Sequence, residues 1–459
     1  MSSSTLTARC TLLAAALGYV VVLLDVSVVN IALDALRREF GADVAGLQWV
    51  INAYTLVFAA LLLTSGALGD RLGARRVFLL GFVVFTLASA ACGLSGSLSV
   101  LVAARLVQGL GAALLVPNSL VMLQQAIPDR ANRSRAVGWW GAMGGISLAA
   151  GPVLGGILIT QLGWRSIFAI NLPIGLIGIC LTLRYVKPSG RTHRRELDWS
   201  GQATAIVGLA ALTFALTAAS ALGWGHGMVQ GSLCVAGIAA MAFVGIEARS
   251  DSPMLPLALF RIPVFALACA AGVVVNVAYY GLIFVFSLFF QIQQQLSPLM
   301  TGLAFLPMTL VLVAVNVLAG RLMTRMGARR LMTGGLALAA LGYLLLMPVR
   351  VDGGYWLLFA PMLMAASGIA LTVPTMTNAT LSSVEASRAG IASGALNSAR
   401  QMGGMLGVSV FAHLIRDTAA QPFMHGMHVA IGMSAGLLVV ASALCWFGLR
   451  RDSATTRLD

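Results

Sequence analysis

Runs of about twenty apolar residues recur from near the first residue to near the last, and this repetition constrains the chain more than any motif. A helix crossing hydrocarbon needs about 20 predominantly apolar residues, because its backbone groups must be satisfied within the segment. Windows of that kind are expected at 12–33, 48–67, 77–96, 98–122, 136–159, 166–185, 200–220, 229–247, 264–290, 299–320, 331–348, 355–376, 390–414 and 427–449. Of the 459 residues only 10% are charged, whereas a soluble domain carries about 25%. Too few charges remain to cover a water-facing surface, which excludes a soluble enzyme or binding module. The expected fold is therefore an all-α membrane protein of fourteen spans. Its first window runs through Ala32 and carries Asp25, too long and too polar for a cleaved signal peptide, and reads as an uncleaved first helix.

The charge distribution orients these spans. Net charge is +14, and Lys187 is the only lysine. With a cytoplasmic N-terminus, 22 of the 29 basic residues fall in cytoplasmic segments and five on the opposite side, leaving Arg105 and Arg400 inside spans. That bias over short loops is the positive-inside pattern, and an even number of spans puts both termini in the cytoplasm. The same distribution argues against nucleic acid as a partner. Six scattered cysteines without a CxxC predict neither a disulfide framework nor a zinc site. No GxxxxGK[ST] sequence occurs, so ATP is not the expected energy source. An ion gradient is the remaining candidate, and no cofactor or metal is expected. A catalytic cluster or a repeated filter segment, which an enzyme or a channel would need, is likewise not apparent.

The chain also repeats itself. Residues 66–76 read GALGDRLGARR and residues 320–330 read GRLMTRMGARR, with seven of eleven positions identical. Both follow a span that ends in the cytoplasm, the second and the tenth. Two related halves with an extra pair of helices between them would produce this offset. The expected organisation is a six-helix bundle over 1–185, a cytoplasmic linker and extra helix pair over 186–250, and a second six-helix bundle with a short tail over 251–459.

Asp25 is the one acidic residue near the middle of a span. An unpaired carboxylate there costs on the order of 3 kcal/mol, so a function and a partner are expected. Counting rises of 1.5 Å per residue from the outer ends of their helices puts Asp25 and Arg105 at the same depth, about 11 Å below the outer face. Apolar surroundings favour the neutral acid and arginine the carboxylate, a balance suited to proton exchange; the pair would equally serve as a structural ion pair. Gly151, Pro152, Gly155 and Gly156 belong to a glycine-rich fifth span. They suit either close packing or a dry seam between halves. Asp70, where the second copy has Thr324, is either a latch against a helix N-terminus or a solvated loop charge. Asn397, Arg400 and Gln401 form a polar patch that either lines a cavity or packs on a neighbour. Asn30, Gln108, Asn118, Tyr279 and Tyr280 are further candidates for a substrate cavity.

Together these segments resemble the major facilitator superfamily, and within it the fourteen-helix drug–proton antiporter family. The resemblance rests on LDVSVVNIAL at 24–33, the loop signature at 66–76, RLVQGLG at 105–111, GPVLGG at 151–156, WRSIFAINLPIG at 164–175 and NSARQMGG at 397–404. It implies a secondary transporter of a bacterial inner membrane that exports amphipathic drug-like or toxic compounds in exchange for protons, a monomer being sufficient. An exporter of one specific metabolite or self-made antibiotic is the alternative. It assigns Asp25 and Arg105 to proton coupling, Gly66, Asp70, Arg71, Gly73, Arg75 and Arg76 to a conformational latch, and 151–156 to an antiporter seam. One departure stands out: the last six spans hold no Asp or Glu, which argues against dications as cargo.

Overall fold

A computed structural model describes residues 3–127, 129–187, 198–250, 253–385 and 388–449. Most of the charged loop expected after the sixth span (188–197) and the tail beyond 449 lie outside the described residues. The described residues are helical with short connections: α1 (Ser3–Phe40), α2 (Val44–Leu72), α3 (Ala74–Gly93), α4 (Leu98–Ala126), α5 (Arg130–Leu162), the one-turn α6 (Ser166–Ala169), α7 (Asn171–Tyr185), α8 (Trp199–Leu222), α9 (Gly227–Glu247), α10 (Pro263–Leu288), α11 (Pro298–Leu345), α12 (Trp356–Ser382), α13 (Ala389–Leu414) and α14 (Ala420–Gly448). Side-chain oxygens of Asp43, Ser97, Asp129, Asp198 and Ser297 accept from the first turns of α2, α4, α5, α8 and α11, satisfying backbone donors that have no partner inside the helix.

The sequence repeat has a backbone counterpart. Gly73 ends α2 at φ +94° and Gly327 breaks α11 at φ +76°, left-handed values that favour glycine. Thus α11 is two helices joined at the glycine that matches the α2–α3 turn.

Helix contacts fall into two sets with matching patterns. In the first, α1 packs on α4, α5 and α7, and α4 on α2 and α3; in the second, α10 packs on α12, α13 and α14, and α11 on α12 and α14. The sets meet through α5 on α11 and α2 on α13. By position in the repeat these contacts exchange roles, since α11 begins as the counterpart of α2 and α13 is the counterpart of α5. The α8–α9 pair lies outside this plan and rests on α2 and α13, with Gln202 donating to Ala60 O at 2.9 Å.

Among the described residues twelve helices are long and apolar enough to cross a membrane. Two of the fourteen expected windows are not among them, although both are helical. The window at 331–348 is the second limb of α11, headed by Arg329 and Arg330. The window at 390–414 lies in α13, where Asn397, Arg400, Gln401 and His413 dilute the apolar character. That helix is packed between α10 and α2, so protein rather than lipid surrounds much of it and the hydrophobicity required of a lipid-facing span is relaxed.

Candidate functional site

The most densely bonded polar centre is built around Asp25, fully buried on α1. Arg105 Nη1, from α4, forms an ion pair with Asp25 Oδ2. The other carboxylate oxygen accepts from Gln108 Nε2 at 2.8 Å and from Asn171 Nδ2 at 3.1 Å. Both amides also donate to Ser89 Oγ on α3, at 2.7 and 2.9 Å. Arg105 Nη1 reaches Gln108 Oε1 at 2.7 Å, Arg105 Nε donates to Val50 O at 3.0 Å, and the guanidinium lies 4.3 Å from the ring centre of Tyr54. Five helices therefore supply the centre. Positions 105 and 108 are one helical turn apart, which places guanidinium and amide on one face of α4. Three donors on one carboxylate substitute for water, so the ionised form is accommodated in an apolar interior. Gln108, expected in a substrate cavity, belongs to this centre instead. Asn171 stood inside a sequence motif with no assigned role, and Ser89 and Tyr54 gave no sequence signal.

The seam residues split between two neighbours. A Cβ on Gly151 would lie 2.3 Å from Ser27 Oγ, and one on Gly155 would lie 3.3 Å from Val28 Cα, both on α1. One on Gly156 would lie 2.7 Å from Pro298 O on α11, and one on Gly302 would lie 2.3 Å from Pro152 O. Pro152 has no N–H to offer the carbonyl four residues back, Leu148; Ser27 Oγ donates to that carbonyl at 3.0 Å. Thr309 on α11 donates to the next one, Ala149 O, at 3.1 Å. The proline thus frees the Leu148 carbonyl, which α1 uses.

Beside this seam Val26, Ser27, Asn30, Pro152, Tyr279 and Tyr280 line a cavity between the two sets. The space open to a water's centre is about 10 Å³, room for roughly one molecule, so the sets are shut at this level. Asn30 bonds its own helix through Val26 O at 2.8 Å, and its carbonyl accepts from Ser287 on α10. Towards the end of the molecule where α1 finishes, Asn52 Nδ2 donates to Ser409 Oγ at 2.8 Å. At the opposite end Gly66, Gly138, Gly320 and Gly390 face open space. Asn118 is fully buried and ties α4 to Ser65 of α2 at 3.1 Å, apart from the cavity. Asn397, Arg400 and Gln401 are half-buried on α13.

In the loop motif, Gly73 supplies the turn, Asp70 is half-buried in the last turn of α2, and Arg71 and Arg76 are exposed. Arg75 donates to Thr182 O at 3.3 Å and Leu183 O at 2.9 Å, at the C-terminal end of α7. Its repeat partner Arg329 donates to Trp446 O at 2.9 Å and lies 4.2 Å over the Trp446 ring, at the end of α14. Cations at helix C-termini satisfy orphan carbonyls and complement the dipole. This matched job of the two arginines was not apparent in the sequence.

Comparison with known proteins agrees with this architecture. The chain is 38% identical to the multidrug resistance protein Stp of Mycobacterium tuberculosis, over 88% of this chain and 75% of that protein. It is 35% identical to a methylenomycin A resistance protein of Streptomyces coelicolor, over 96% and 93% of the two chains. A crystal structure of a D-xylose–proton symporter has the same fold with a TM-score of 0.71, at 14% identity and covering 98% of this chain and 99% of that one. The family model described as Major Facilitator Superfamily matches residues 15–408, and with its two matched helix sets the chain is a multi-pass membrane protein that belongs to that superfamily of transporters.

Proposed function

We propose that the chain is a proton-coupled antiporter that exports amphipathic, drug-like or toxic compounds across a bacterial inner membrane. Efflux is supported by relatives named for multidrug and antibiotic resistance. Proton coupling rests on a single observation: the Asp25 carboxylate, buried at membrane depth and held by Arg105, Gln108 and Asn171. Protonation of Asp25 removes the charge that pins Arg105 and weakens the bonds joining α1 to α4 and α7. Cargo release and helix movement follow from that loosening. The loop 66–76 acts as the latch and 151–156 as the seam that keeps protons from leaking while the halves rock. Tyr279, Tyr280, Asn30 and the α13 polar patch line the cargo path.

In this reading the chain has fourteen spans, both limbs of α11 and α13 included, with both termini cytoplasmic. The bundles are 1–185 and 251–459, with 186–250 as linker and extra pair. The closed end is then the outer one, and the conformation faces inward. A dedicated exporter of one antibiotic is the second reading, favoured by the relative named for methylenomycin A resistance. Asp25→Asn is expected to abolish pH-gradient-driven transport by purified protein in vesicles while leaving its elution profile and helicity intact. Transport at the wild-type rate would remove Asp25 from the coupling step.

A further inference from the structure

Arg400 is held differently from the other arginines with defined partners. Arg75, Arg105 and Arg329 each aim Nε at a backbone carbonyl. Arg400 Nε is buried and has no hydrogen-bond partner, and the guanidinium makes one long bond, Nη1 to Asn397 Oδ1 at 3.4 Å. Among the described residues it makes no ion pair. Asp25 is committed to Arg105, and Asp34, the other buried aspartate of α1, to Arg37 and Arg38 at 3.0 and 2.8 Å. From α10 to α14 the helices contain no acid. An arginine stays ionised in a protein, and a charge at membrane depth requires a partner or a water-filled cavity.

The surroundings are built to hold this cation beside aromatic rings. A Cβ on Gly272 of α10 would lie 3.1 Å from Arg400 Cγ, and one on Gly404 of α13 would lie 2.9 Å from Tyr280 Cδ2. Each helix thus gives up a side chain to seat the other's residue. Tyr280 on α10 and Tyr19 on α1 lie within the electrostatic range of Arg400, so both halves contribute to its environment. Tyr19 is stacked on Trp140 of α5, with ring centres 3.9 Å apart and planes 13° apart. On the other side, the Tyr54 ring lies 4.3 Å from the Arg105 guanidinium, and its hydroxyl too is buried without a partner.

We propose that Arg400 is the counter-ion site for the cargo, and that the cargo class is an amphipathic monoanion: an apolar or aromatic body bearing one carboxylate or sulfonate. The guanidinium fork pairs with the oxyanion through its unused N–H groups, and Tyr19, Trp140 and Tyr280 take the apolar body. An organic cation would meet an uncompensated positive charge in a site that has no acid to offset it. This deepens the export reading by naming its substrate class, but the binding preference itself does not depend on proton coupling.

The test uses two probes with the same body, 1-pyrenebutyrate and 1-pyrenebutanol, on detergent-purified full-length protein. Wild type is expected to bind the carboxylate at least tenfold more tightly than the alcohol. Arg400→Gln should erase that preference while keeping the alcohol affinity, which also reports that the site is still folded. Arg400→Lys, which keeps the charge without the fork, should retain part of it. Equal affinities in wild type, a preference that survives Arg400→Gln, or no carboxylate binding at all would overturn the proposal. Uptake of pyrenebutyrate into vesicles under a pH gradient separates the two readings. Arg400-dependent binding without gradient-driven uptake would leave the anion site standing and remove proton coupling. Gradient-driven uptake that is unchanged in Arg400→Gln would do the reverse.

Discussion

Asn171 shows how a single amide decides whether a buried charge is tolerable. It bonds both Asp25 and Ser89, at 3.1 and 2.9 Å, and so closes the network on the side of α7. Replacing it with leucine deletes one donor to a fully buried carboxylate. A hydrogen bond to a charged group is worth about 1.5–3 kcal/mol, and Asn171→Leu should lower unfolding stability in detergent by that order. An unchanged denaturation midpoint would mean that Arg105 and Gln108 suffice. The ion pair itself was legible in the sequence, because equal depth on antiparallel helices follows from residue counting alone. Ser89, Asn171 and Tyr54 were not. A lone Ser, Asn or Tyr in an apolar run reads as packing or as an interface anchor, and only the fold shows that three such residues converge. For the same reason the sequence pattern makes Gln108, one turn from Arg105, a cavity candidate, whereas its amide faces Asp25.

At the scale of helices, the close approach of α5 and α11 joins the two halves at the end where α11 begins. Gly156 sits against Pro298 O and Gly302 against Pro152 O, backbone to backbone. A valine at 156 would need space where its Cβ lies 2.7 Å from a carbonyl oxygen. Backbone cannot retreat as a side-chain tip can, and packed interfaces switch between arrangements rather than deform smoothly. Gly156→Val should therefore populate the arrangement open at that end. Spin labels at the exposed positions Leu162 and Met300 would report it as a longer distance in the variant. Identical distributions would mean that the seam adapts locally. The small-residue stripe was visible in the sequence, but its division of labour was not: Gly151 and Gly155 serve α1 while Gly156 serves α11. The window at 390–414 was expected as a span, and the helix that fills it, α13, is not among the twelve that are apolar enough. Apolarity identifies helices that face lipid, whereas α13 is enclosed by α2 and α10 and carries the polar residues that a lipid-facing helix could not.

For the whole molecule, the repeated segment at 66–76 and 320–330 predicted two related halves, and the matched left-handed glycines, arginine caps and exchanged contacts α5–α11 and α2–α13 express it in three dimensions. The α8–α9 pair rests on that frame without joining it. Deleting 200–247 should leave the orientation of every later helix unchanged, since an antiparallel pair leaves and re-enters on one side. A reporter fused after Arg330 would read the same side in both proteins, and a switched side would refute the reading of the pair as an insertion. In the proposed cycle the charges at Asp25 and Arg400 also set the electrical work. If one proton enters for each monoanion that leaves, two charges cross the bilayer in the same electrical sense. Each is worth about 2.3 kcal/mol per 100 mV, so about 4.6 kcal/mol is available for each cargo molecule, equivalent to a concentration ratio on the order of 10³. Current and tracer flux recorded together at zero pH difference should then give two charges for every pyrenebutyrate moved. A ratio of one would mean that the cargo crosses without its charge, and the membrane voltage would lose half its hold on the pump.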